Sequence, residues 1–129
     1  MIPALEVIAP RFAAVPFDNV GEALADCGLN GGLVLGKPVQ DWRGIDYANH
    51  KTRQLVDGKS VFEGTGAAVL GHPFNALEWL VNAVTRRGYD LEPGQLLTTG
   101  STTGIVYVPE GTAAVGDFGT LGMVEVRFV

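Results

Sequence analysis

The chain has a single cysteine, Cys27, so it can form no internal disulfide, and a reducing compartment is the expectation. Cys27 has no His or Lys beside it in sequence to activate a thiolate, so a structural thiol is the plainer reading. No apolar run approaches the ~18–20 residues of a membrane span, and no basic segment followed by an apolar stretch opens the chain as a signal peptide would. The sequence therefore reads as soluble and cytoplasmic, without a membrane partner. Positive charge is scarce: Lys and Arg number 9 against 14 Asp and Glu, for a net charge of −5, and the largest basic cluster is Arg86-Arg87. A nucleic-acid backbone needs a concentrated positive face, so nucleic acid is excluded as a partner. Also missing are Gly-x-Gly-x-x-Gly, a P-loop, Cys-x-x-Cys, His-Glu-x-x-His and Gly-x-Ser-x-Gly, which removes the common nucleotide, zinc and serine-nucleophile chemistries.

What is present suits one folded domain over residues 1–129. Hydrophobic residues make up 47% and charged residues 18%, far from a disordered composition. The 18 glycines, about twice the average share, imply many tight turns and a strand-rich chain. The chain opens directly on strand-like apolar residues with no polar lead-in, which suggests a missing predecessor. Residues 18–27 read as a short helix capped by Asp18 or Asn19 and ended by Gly28. Residues 30–36 read as a buried strand, and residues 45–56 and 59–62 as strands joined by the hairpin signal Asp57-Gly58. The clearest element is a helix over about 73–87: Pro73 suits its first turn, Phe74, Leu77, Leu80, Val81 and Val84 form its apolar stripe, and Arg86 and Arg87 favour its last turn. Short strands are expected at 95–99, 105–108, 112–115 and 123–129, the last alternating with period 2.

Two features stand out as candidate chemistry. Glu6 is the only charge among the first ten residues and sits inside a strand-like apolar run. Either strand alternation turns it to solvent, as for most carboxylates, or it is paired or metal-bound, since burying it otherwise is costly. Residues 97–104 place successive hydroxyls and flexible backbone N–H groups at a strand end, which suits a carboxylate or carbonyl ligand, and equally suits a plain turn. His50 and His72 fall in a surface hairpin and at a helix start, where surface and capping roles outweigh catalysis.

At these features the chain resembles the 2-oxopent-4-enoate hydratase and 4-oxalocrotonate decarboxylase branch of the fumarylacetoacetate hydrolase superfamily. Pro3-Ala4-Leu5-Glu6-Val7-Ile8 is similar to one motif of that branch. Gly64-Thr65-Gly66-Ala67-Ala68-Val69-Leu70-Gly71-His72-Pro73, followed by Asn75-Ala76-Leu77-Glu78-Trp79-Leu80, is similar to another. The likeness continues through Leu91-Glu92-Pro93-Gly94-Gln95, Leu97-Thr98-Thr99-Gly100 and Leu121-Gly122-Met123-Val124-Glu125-Val126-Arg127-Phe128. It covers nearly all of this chain but only the C-terminal half of such an enzyme.

The resemblance implies an α+β, β-rich fold, a mixed β-roll or sandwich with one long flanking helix, and a tendency to homo-oligomerise. It implies a small 2-oxo-acid substrate and a divalent cation, Mg²⁺ or Mn²⁺, held by three carboxylates. Glu6 matches the third of these. The other two form a Glu-x-Glu pair that occurs nowhere here, and the family's catalytic lysine would also lie upstream. The Thr99-Gly100-Ser101-Thr102 loop matches the substrate-carboxylate contact. Asn30 lies where relatives carry substrate-placing serines, and the stretch from Cys27 to Asn30 departs from that pattern. The chemistry implied is metal-assisted hydration or decarboxylation of a 2-oxo acid, with an enolate stabilised by Lewis acidity. Three readings stay open: a half-enzyme inactive alone and completed by a missing N-terminal half or partner subunit, a non-catalytic assembly module, and a hydrolase or isomerase acting on β-diketo acids.

Overall fold

A computed structural model of the chain describes residues 1–13 and 19–129. Among the described residues, eleven short elements in chain order build two antiparallel sheets, three 3-10 turns and two α-helices. Strands β1 (Ala4–Ile8) and β2 (Asn30–Leu35) form a two-stranded ribbon in which Leu5 faces Val34 and Glu6 faces Leu33. Strands β3 (Lys51–Val56), β4 (Lys59–Thr65), β5 (Ala113–Asp117) and β6 (Met123–Arg127) form a four-stranded sheet in the order β4-β3-β5-β6. The β-rich α+β architecture expected from the sequence is the one observed.

Local chemistry explains the elements. Helix α1 (Val20–Ala25) is capped by Asn19, whose side chain accepts from the N–H groups of Gly21 and Glu22. The other cap suggested by the sequence, Asp18, lies outside the described residues. Asp57 and Gly58 both take positive φ, 45° and 74°, as the tight turn between β3 and β4 requires. Helix α2 (Pro73–Arg86) starts with Pro73 in its first turn and His72 as N-cap, the imidazole Nδ1 accepting from the Phe74 N–H at 3.1 Å. His72, Tyr47, Phe74 and Trp42 stack edge-on or tilted with centroids 5.1–6.2 Å apart, and this cluster fastens the start of α2 to the loop before β3.

Three expectations need correction. Residues 45–50 are turns rather than strand, because Asp46 folds the chain back by accepting from both the backbone and side-chain N–H groups of Asn49. Residues 95–99 and 105–108 are not strands: no described strand lies alongside to pair them. His50 is not a surface residue but half-buried, its Nε2 lying 2.6 Å from the Phe118 carbonyl.

One face of the four-stranded sheet packs against the ribbon. Residues paired directly across antiparallel strands share a face, and so do residues two apart. Thr52 pairs with Gly64, Gln54 with Gly116, and Gly116 with Val124, so these residues line one face from β4 to β6. A Cβ at Gly116 would meet Leu5 of β1, and one at Gly36 would meet Pro3 and Val124 at 2.9 Å each. The ribbon thus lies on the β5–β6 half of that face, and glycines permit the close approach. On the opposite face Arg53 and the buried Asp117, also directly paired, form an ion pair. No described helix is long and apolar enough to cross a membrane.

Candidate functional site

The hydroxyl-rich loop covers the other half of the same face. Thr102 Oγ1 lies 2.8 Å from Thr52 Oγ1 of β3, and the Thr103 hydroxyl donates to Gln54 Oε1 at 3.4 Å. The Thr102 carbonyl passes so close over β4 that a Cβ at Gly64 would collide with it. Ser101 is engaged locally: its hydroxyl donates to the Gly104 carbonyl and accepts from the Gly104 N–H. Gly100, at φ +119°, takes a backbone conformation few other residues adopt, and a Cβ there would lie 3.5 Å from a Val69 methyl. Thr99 is half-buried. Of the four residues suggested here for substrate, Thr102 is thus spent on holding the loop to the sheet and Ser101 on shaping its turn, while Thr99 and the Gly100 backbone remain for a ligand.

Glu6 and this loop share a sheet face but not a contact. Leu5 points at Gly116, so alternation turns Glu6 to the outer side of the ribbon, where it is exposed. No hydrogen bond or ion pair joins it to the loop among the described residues. Among these residues, no group of three or more His, Cys, Asp or Glu side chains is placed to hold a metal ion. A hard divalent cation wants a near-complete oxygen shell. The described residues do not make such a site by themselves, and Glu6 could supply one ligand of it.

Asn30 opens β2 opposite Ile8. Its carbonyl accepts from Arg11 Nη2 at 2.9 Å, while Arg11 Nη1 pairs with Asp26 Oδ1 at 3.0 Å and the Arg11 N–H donates to Asp26 Oδ2. Asp26 is 2% exposed, so Arg11 clamps the Asp26–Asn30 loop to the chain leaving β1. Within this loop Cys27, Gly28 and Leu29 all have positive φ, a conformation that costs energy at the two non-glycine positions. Sequence reasoning missed Arg11 and Asp26. The available signal was an acid in an otherwise apolar stretch before Leu29, which a distant arginine could neutralise.

Two carboxylates have altered acidity among the described residues. The Arg53 guanidinium and then the Gly119 N–H hold the Asp117 carboxyl below its usual range, and the Asn49 side chain and backbone do the same for Asp46. Burial raises the Tyr47 phenol, whose hydroxyl donates to the Trp42 carbonyl at 2.6 Å. A groove of about 440 Å³ between the end of β2 and β6, lined by Gly36, Lys37, Met123 and Glu125 among others, includes none of Glu6, Asn30 or the loop residues 99–102.

This arrangement of ribbon, four-stranded sheet and α2 defines a class: it is the fold of one half of a known decarboxylase. The structure of 4-oxalocrotonate decarboxylase from Pseudomonas putida G7, complexed with magnesium and adipate, matches 99% of this chain with a TM-score of 0.89 and 30% identity, over 48% of its own length. A second structure of that enzyme, complexed with calcium and acetate, matches with a TM-score of 0.86. In sequence, 4-oxalocrotonate decarboxylase of Pseudomonas putida is 31% identical over 129 residues, all of this chain and 48% of the relative. The 2-keto-4-pentenoate hydratase of Paraburkholderia xenovorans is 32% identical over 128 residues, 99% of this chain and 47% of the relative. No family model matches the chain. The chain spans about half the length of the curated relatives it matches. Along its whole length it is homologous to the C-terminal half of the 2-keto-4-pentenoate hydratases and 4-oxalocrotonate decarboxylases.

Proposed function

We propose that this chain is one domain, the metal- and substrate-supporting half of a hydratase- or decarboxylase-type lyase acting on a 2-oxo acid. The observation that carries the reading is the match of the entire chain, at a TM-score of 0.89, to half of a decarboxylase whose structure was solved with magnesium and a dicarboxylate. In this reading Glu6 supplies one carboxylate to a Mg²⁺ or Mn²⁺ ion whose other protein ligands, with the catalytic lysine, come from outside the 129 residues. Thr99 and the Gly100 backbone receive the substrate carboxylate on a loop that Thr102 and Ser101 hold in shape, and Asn30 borders the substrate. The working protein is a cytoplasmic homo-oligomer.

The chain alone has no hydratase activity, because a lone exposed carboxylate cannot assemble the site. Calorimetric titration of Mg²⁺ and Mn²⁺, with and without oxalate as a 2-oxo-acid mimic, tests the half-site on the wild type and on Glu6→Ala. Oxalate-dependent binding that disappears in Glu6→Ala is the expected result. Absence of binding in both proteins would favour the second reading, a non-catalytic module that keeps the fold, which the lack of any three-ligand cluster among the described residues supports.

A further inference from the structure

The molecule has more surface than its mass calls for. A compact protein of 13.6 kDa exposes roughly 6,600 Å² by the scaling of surface with mass. This chain exposes 8788 Å², an excess of about 2,200 Å² over that scaling. Obligate partners bury surface on this scale. Part of the uncovered apolar surface lies along residues 95–108, where Leu96 is 57% exposed, Ile105 61% and Tyr107 87%.

That stretch has the composition of strands without their pairing. Leu96-Leu97-Thr98-Thr99 and Ile105-Val106-Tyr107-Val108 are rich in apolar, β-branched and aromatic residues. Neither segment takes part in a backbone–backbone hydrogen bond among the described residues. Between them, Thr102 and Thr103 pin the loop to β3. The result is two apolar arms extending from one anchored point. Residues 93–109 contain no charged side chain. Proteins that leave strand edges in water guard them with lysines and other charges, whereas charge is depleted at the centres of interfaces.

We propose that the arms 95–99 and 105–108 are the docking surface for a polypeptide equivalent to the half of the relatives that this chain does not match. The inference rests on the half-enzyme reading above and adds the place where the halves meet. The occupant follows from the comparison: the same fold, at a TM-score of 0.89, exists in a protein of which this chain covers 48%, so as much chain again accompanies it there. The incoming polypeptide supplies backbone partners to the open N–H and C=O groups and covers Leu96, Ile105 and Tyr107.

Hydrogen exchange and sedimentation decide the matter, on this chain alone and on this chain fused behind the N-terminal half of the Pseudomonas putida 4-oxalocrotonate decarboxylase. Alone, amides of 95–99 and 105–108 should exchange at nearly free-peptide rates. In the fusion they should slow by about tenfold or more, and Ile105→Lys combined with Tyr107→Lys should restore fast exchange there while β3 stays protected. Three results would overturn the proposal: protection of the arms in the monomeric lone chain, protection of them in a discrete self-associated form, which would make a second copy the occupant, or no protection in the fusion. A fusion that protects the arms yet binds no Mg²⁺ with oxalate would retain the docking surface and remove the enzymatic reading.

Discussion

Gly64 shows how a single missing atom positions the candidate loop. The Thr102 carbonyl occupies the space a Cβ would need, so Gly64→Ala must push the loop off β4. The cost should be about 1–3 kcal/mol, as for other overpacked sites. Gly32→Ala, with open space around it, should stay within about 0.5 kcal/mol. Urea unfolding of the two variants checks the contrast. Gly64 stood in a recognisable motif, but its reason did not: the carbonyl comes from 38 positions away, and no local pattern encodes that distance.

Asp117 gives the pH dependence. Its carboxyl is held below the usual range by Arg53, so the native state binds its proton less readily than the unfolded chain does. The resulting stabilisation is fully present above the unfolded value of about 3.9 and is lost as pH falls through the lower native value. Stability measured in urea from pH 7 to pH 3 should therefore fall at the acid end. Asp117→Asn should flatten that fall and lose about 1–3 kcal/mol at pH 7, the scale of a hydrogen bond to a charged group.

At the scale of elements, legibility followed locality. Helix α2 was readable because its proline start, its stripe and Arg86 all lie within fourteen residues. His72 as its cap rests on the Nδ1 contact with Phe74. His72→Ala should cost about 1 kcal/mol and His72→Asn should recover most of it, since asparagine caps well; thermal unfolding of both variants checks this. The β3–β4 hairpin was readable from Asp57-Gly58 for the same reason. Residues 95–99 and 105–108 carry an equally strong local strand signal and still form no sheet, because pairing is a property of two segments and only one is present among those described. Glu6 was half legible. Alternation named solvent as one of its two fates, and the packing of Leu5 on Gly116 selected it.

At the scale of the molecule, the surplus surface has a thermodynamic signature. The chain hides only about 55% of its unfolded surface, where about 67% is expected for this mass. Denaturant sensitivity scales with the surface newly exposed on unfolding. The urea m-value should therefore be about one sixth below that of a compact protein of 129 residues. An m-value equal to the compact expectation would mean that the apolar arms are already covered in solution.

The strand order of the larger sheet has a consequence for synthesis. Strand β3 is flanked by β4, which follows at once, and by β5, which begins at Ala113, long after β4 ends at Thr65. At ~5–20 residues per second, a ribosome needs roughly 2–10 s to cover that interval. Throughout it the hairpin exists with one side of β3 open to other nascent chains. Lys51 and Arg53 lie on that strand, and charges of this kind discourage improper pairing. When β5 emerges, Arg53 meets Asp117 directly across the new ladder. One arginine thus guards the unfinished sheet and then locks the finished one, and Arg53→Val should betray itself first as aggregation during expression rather than as a lower melting temperature.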